Sequence, residues 1–121
     1  ISYIHSEAYA SGELKHGTIS LIEDGTLVVA VATYARLFEK AMSNVVEVKS
    51  RGADVLALTT EEHVEEMGRV ASGLIAIPDT DELLLPSLGV APLQLLAYYI
   101  ALMRGCDIDK PRNLAKSVTV E

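Results

Sequence analysis

Two side chains have the types and neighbours for group-transfer chemistry: Lys116, in the run Pro111-Arg112-Asn113-Leu114-Ala115-Lys116, and His16, between Lys15 and Gly17. A lysine amine adds to a carbonyl only when it is unprotonated, and a free lysine titrates near about 10.4. Burial or a nearby cation must therefore lower it, and Arg112 lies four residues upstream of Lys116. An imidazole titrates near about 6.5, so it can give or take a proton at neutral pH. Neither residue is diagnostic alone. A lysine five residues from the last residue is ordinarily a solvated charge, and a histidine in a Gly-flanked turn ordinarily bonds a backbone group.

The remaining reactive types read as structural. Cys106 is the single cysteine, and nothing around it suggests a lowered thiol pKa. His5 and Glu7, two apart on a short helix, would face different ways and lack a third metal ligand. His63 among Glu61, Glu62, Glu65 and Glu66 reads as a solvated helix face. Tyr98 and Tyr99 sit in an apolar segment and read as core or interface groups. Glu13 and Lys15 are expected to shape the turn around His16 rather than to move protons.

Composition bounds the setting. The 121 residues amount to one domain, half of them hydrophobic, so the chain folds around a core. A net charge of −7 disfavours nucleic acid and anionic membranes at long range but leaves room for a small anion in a locally basic pocket. A lone cysteine with no Cys/His cluster points to a reducing compartment, taken as the cytoplasm, without structural zinc. No uninterrupted apolar run approaches the roughly 20 residues of a membrane-spanning helix.

The elements that must position His16 and Lys116 alternate. Thr26 to Ala32 reads as a parallel strand buried on both faces, and Ala35 to Arg51 as an amphipathic helix stopped by Gly52. Asp54 to Leu58 and Gly73 to Ile77 read as further strands, with a short charged helix from Glu61 to Glu66 between them. Leu88 to Met103 reads as a largely buried helix with Pro92 in its first turn, stopping at Gly105. Ile1 to Ala8 has helical spacing, and Cys106 to Glu121 reads as a tail of the kind that closes over sites. This order predicts an α/β fold with a parallel sheet flanked by helices.

Three stretches, in order and spacing, resemble the glutamine and fructose-6-phosphate amidotransferases that make glucosamine 6-phosphate. They are Tyr3-Ile4-His5 with Glu7-Ala8-Tyr9 and Gly12-Glu13-Leu14-Lys15-His16-Gly17; Pro92-Leu93-Gln94-Leu95-Leu96-Ala97-Tyr98; and Asp109 with Pro111 to Glu121. Between Asp24 and Leu85 the likeness is one of pattern. The resemblance implies the later part of the second sugar-isomerase (SIS) domain, a flavodoxin-like three-layer αβα fold incomplete at its N-terminus. Residues 106–121 would then form the active-site tail.

The same resemblance implies roles. Lys116 would form an imine with open-chain fructose 6-phosphate, Ala115 and Lys116 would contact the substrate, and His16 would open the sugar ring in the site of a neighbouring subunit of a homodimer. Where the family usually continues Gly-Pro after this histidine, this chain has Gly17-Thr18. The proton-abstracting glutamate would immediately precede Ile1. The first isomerase domain with its phosphate loop, and the glutaminase domain, would also lie outside these residues, so the 121 residues alone are not expected to turn over. No cofactor or metal is implied. Two other readings remain open: a deglycase acting on phosphorylated sugar-amine adducts, and a non-catalytic module that binds sugar phosphate or dimerises.

Overall fold

The structure, a computed structural model, describes residues 1–112. They divide into two compact units, Ala8–Gly89 and a second formed by Ile1–Glu7 with the chain from Val90 onward.

In the first unit, β1 (Leu27–Ala32), β2 (Asp54–Thr60) and β3 (Gly73–Ile77) form one parallel sheet in the order β1-β2-β3. Leu27 pairs with Asp54 and Leu56 with Gly73, so the side chains of all three strands alternate in phase. Parallel neighbours need crossover connections. Helix α1 (Phe38–Lys49), entered through a 3₁₀ turn at Ala35–Leu37, supplies the first crossover. A second 3₁₀ turn, Glu61–His63, leads into the short α2 (Val64–Gly68), which supplies the other.

Phe38, Val45 and Val48 lie at seven- and three-residue intervals on α1 and are buried, with Ala41 and Met42 between them on the same stripe. They pack with Val55 and Ala57 of β2, both fully buried, and with Met67 of α2. The opposite sheet face meets the start of α3 (Leu85–Met103): Leu85 is buried, and the Leu58 Cδ2 lies 3.4 Å from where a Cβ on Gly89 would stand.

The end of α1 is a Schellman turn. The Ala53 N–H donates to the Val48 carbonyl at 3.3 Å and the Gly52 N–H to the Lys49 carbonyl at 3.0 Å, with Gly52 at φ 93°. Gly52 also returns a bond to the other strand end, its carbonyl accepting from the Gly25 N–H at 3.0 Å. A Cβ here would stand 2.9 Å from the Asp24 Cα, so only glycine satisfies both the backbone angle and the space.

In the second unit α3 ends by the same device. The Cys106 N–H donates to the Ala101 carbonyl at 2.9 Å and the Gly105 N–H to Leu102 at 3.0 Å, with Gly105 at φ 67°. Asp107 then folds the chain back, its Oδ1 accepting from the Asp109 and Lys110 N–H groups.

Several sequence expectations are corrected. Ile1 to Ala8 is not helical: eight residues fall below the length at which a helix holds itself in water, and Tyr3 takes φ 54°. Strand β1 is not buried on both faces. Leu27, Val29 and Val31 are 58%, 39% and 56% exposed, because α1 covers only the face carrying Val28, Ala30 and Ala32. Helix α3 begins three residues before the expected Leu88, since the Asp81 Oδ1 accepts the Leu83 N–H at 2.9 Å and starts the turn early. Pro92 consequently lies in the helix interior, where it has no N–H to offer the Leu88 carbonyl.

Helix α3 also departs from the expectations of burial and of length. Val90, Leu95, Tyr98, Tyr99, Leu102 and Met103 are exposed. Its 19 residues contain no charged side chain and meet the length and apolarity of a membrane-spanning helix; Pro86, Ser87, Pro92 and Gln94 interrupt the apolar run without adding charge.

Replacing Gly52 with alanine forces a side chain into the positive-φ corner against Asp24. Destabilisation of more than about 1 kcal/mol is expected, read as a lowered urea midpoint with an unchanged slope.

Candidate functional site

His16 closes a 3₁₀ turn, Ser11–His16, followed at Gly17 by φ 140° and a second turn, Thr18–Leu21. A turn this short is held by what it touches. Leu14 and Ile19 pack on the core beneath it. Two polar ties join it to α1: the Lys15 Nζ lies 2.8 Å from the Glu47 Oε2, and the Asn44 Nδ2 donates to the Ser11 Oγ at 3.0 Å. Lys15 therefore does shape the turn around His16, as expected. The His16 ring is exposed and has no hydrogen-bond or ion-pair partner among the described residues, which leaves both nitrogens open to a substrate.

Glu47 is the acceptor that matters here. Chiefly through the hydrogen bond from Lys15, partly offset by desolvation and reinforced by the charges of Lys15 and Arg51, its carboxyl is held below the usual range.

Beside this turn lies a cleft of about 600 Å³, lined by Ser11, Lys15, Thr33, Tyr34, Lys40 and Asn44 among others. It opens at the carboxyl end of β1, where open α/β sheets place ligands. Thr33 is buried there. Lys40 has no ion pair among the described residues. Sequence reasoning missed this cleft. Its signal was positional: a hydroxyl one residue past an apolar strand, and a lysine in the first turn of the next helix.

In the second unit, Tyr3 meets the start of the tail. The Arg112 N–H donates to the Tyr3 hydroxyl at 2.7 Å, and the Arg112 guanidinium carbon stands 3.9 Å from the ring centroid. The Cys106 Sγ is 3.9 Å from the Ser2 carbonyl oxygen. Ala115 and Lys116 lie outside the described residues, so of the expected pair only His16 is placed.

Other expectations change. His63 is not a solvated helix residue: its ring stacks on buried Phe38 at 3.8 Å and 9°, and its Nε2 is buried without a hydrogen-bond partner among the described residues. The neighbouring glutamates hid an imidazole that turns inward. His5 and Glu7, rather than diverging, meet at 3.2 Å, because the segment is extended and brings alternate side chains to one side. Tyr98 and Tyr99 are exposed and pack edge-on at 5.3 Å, which removes the core reading within the described residues.

Residues 1–104 match the SIS domain. The chain belongs to the SIS family. Over all 121 residues this SIS chain is 60% identical to the glutamine--fructose-6-phosphate aminotransferase [isomerizing] of Caldanaerobacter subterraneus subsp. tengcongensis, covering 20% of that protein. It is 54% identical to the protein of the same name from Thermococcus kodakarensis, again covering all of this chain and 20% of the relative. The chain thus spans about a fifth of the length of these relatives. Among solved structures, the C-terminal domain of glucosamine-fructose-6-phosphate aminotransferase from Francisella tularensis is similar with a TM-score of 0.85 and 37% identity, over 92% of this chain and 31% of that one. The parallel α/β fold is that of this SIS domain.

A depressed folded-state carboxyl means that the Lys15–Glu47 tie is at full strength above the ordinary glutamate range, near about 4.3, and is lost as pH falls through the lower folded value. Acidification is therefore expected to move the amide resonances of Ser11–His16, and Glu47→Gln should reproduce that shift at neutral pH.

Proposed function

We propose that the chain is part of the isomerase half of an amidotransferase that converts fructose 6-phosphate and glutamine to glucosamine 6-phosphate and glutamate. The observation that carries this reading is the 53–60% identity, over every residue of the chain, to proteins named for that reaction. It supports the role only together with the rest of the polypeptide, because those relatives are about five times longer. The glutaminase and first SIS domains are the partners within that polypeptide, and the cytoplasm is the compartment that suits a lone Cys106.

His16, on its tethered turn, passes a proton between the ring oxygen and the anomeric hydroxyl of fructose 6-phosphate and so opens the ring. The Lys116 amine then attacks the C2 carbonyl, two protons and the carbonyl oxygen leave as water, and an imine forms. Ammonia from glutamine displaces the lysine amine from C2 and leaves the sugar imine; a base takes a proton from C1, a proton is delivered to C2, and the resulting C1 aldehyde closes on a ring hydroxyl as the 2-amino aldose. Ala115 and Lys116 contact the substrate from the tail that residues 106–121 form. His16 serves the site of the second copy in a homodimer, so each site draws on both chains.

A second reading keeps the fold and drops the chemistry: a module that binds sugar phosphate without reacting. The basic, hydroxyl-lined cleft at the end of β1 favours it, since Lys15 and Lys40 suit a phosphate without requiring Lys116.

Reductive trapping separates the two. A polypeptide of the relatives' full length, ending in this chain, is incubated with fructose 6-phosphate and borohydride and its mass measured. One covalent sugar adduct per chain is expected, with its loss in Lys116→Arg; an adduct that survives Lys116→Arg rules out the assigned lysine, and no adduct in either form favours the binding module.

A further inference from the structure

The turn that carries His16 has little to hold it from within. None of its residues, Ser11–His16, is fully buried, no side chain caps it at Ala10, and glycines stand at positions 12 and 17, the latter at φ 140°. Leu14 packs partly on the core, but short 3₁₀ backbone flanked by glycine yields readily. A proton-transferring imidazole has little room to yield. It must stay within hydrogen-bond reach of the oxygen it serves, and misplacement by about 1 Å can cost about a hundredfold.

The missing restraint comes from one side of α1. Asn44 and Glu47 are three residues apart and so stand on the same side of the helix. The Asn44 Nδ2 donates to the Ser11 Oγ at 3.0 Å, at the first residue of the turn, and the Glu47 Oε2 lies 2.8 Å from the Lys15 Nζ, at the residue before the histidine. Ties at both ends fix the rotation of the turn as well as its position; either alone leaves a pivot. Glu47 is itself oriented. One helical turn on, the Arg51 Nη1 stands 3.5 Å from its Oε1, so the two carboxylate oxygens face different cations. Helix α1 is seated on the sheet by Phe38, Val45 and Val48, and the ties refer the turn to that packed frame.

We propose that Asn44 and Glu47 are positioning residues for His16: acting through Ser11 and Lys15, they hold the turn at the angle from which the imidazole serves the ring oxygen of fructose 6-phosphate. Neither touches a reacting atom. The inference rests on the assignment of His16 to ring opening made above. It carries a signature that a general structural role lacks: loosening the ties slows ring opening and leaves the later steps, which use other groups, at their normal rate.

A substrate that needs no ring opening isolates that signature. Fructose 6-phosphate closes its ring through the C5 hydroxyl, so 5-deoxyfructose 6-phosphate stays an open-chain ketone. The test uses the full-length polypeptide ending in this chain and compares single-turnover amino-sugar formation from the two substrates. With fructose 6-phosphate, Asn44→Ala and Glu47→Gln should each slow the reaction about threefold and the double variant about tenfold, as a lost hydrogen bond and a weakened surface ion pair allow. With the 5-deoxy analogue all three should stay within about twofold of wild type. Equal losses on both substrates, or no loss on fructose 6-phosphate, overturn the positioning role. His16→Ala is run in parallel and should lose only the reaction of fructose 6-phosphate. If it loses both equally, the ring-opening assignment has failed and the proposal with it; if it behaves as expected and the α1 variants do not, the positioning role alone is overturned.

Discussion

The stripe of Phe38, Val45 and Val48 on Val55 and Ala57 fixes where β1 must end and where α1 must turn back, and the first unit follows from it. A parallel strand pair cannot be joined by a tight turn, so the helix between the strands has to lie on the sheet with its apolar stripe inward. Once α1 is seated, Asn44 and Glu47 stand on its outer side, and the Ser11–His16 turn is tied to them. The histidine is placed by a helix it does not belong to. The same seating sets the cleft, whose floor at Thr33 is the end of β1 and whose wall at Lys40 is the first turn of α1.

The opposite face of the sheet is less complete. Parallel sheets ordinarily carry cover on both faces, yet over the described residues Leu27, Val29 and Val31 stay exposed on the outer strand while Leu58 and Ile77 are buried. Cover is therefore present toward the carboxyl end of β2 and β3, where Leu85 and Gly89 of α3 lie close, and absent along β1. The candidate site lies beside β1: a solvent-facing imidazole and the cleft next to it, both resting on the layer that α1 packs.

The sequence made the alternation of strand and helix legible because it is written in period and punctuation. Gly52 announced the end of α1, the apolar run announced β1, and Pro78 followed the end of β3. Less legible were features that depend on partners distant in the chain. Nothing near His63 reveals that Phe38 will stack on it, and nothing near Tyr3 reveals Arg112. The early start of α3 depended on the Asp81 side chain, a local signal that was present but outweighed by Pro92, whose usual place is a first turn. For the site, motif resemblance singled out His16 and Lys116, whereas Thr33 and Lys40 required the fold to bring β1 and α1 to one cleft.

In the proposed function, His16 and Lys116 are parts of one reaction contributed by two copies of the chain. Mixing full-length His16→Ala protomers with Lys116→Arg protomers, after unfolding and joint refolding, tests this directly. Random pairing puts half the material in mixed dimers with one intact site of two, so synthesis should return to about a quarter of the wild-type rate while each variant alone stays inactive. No recovery in the mixture, with mixed dimers demonstrated by mass, would contradict it.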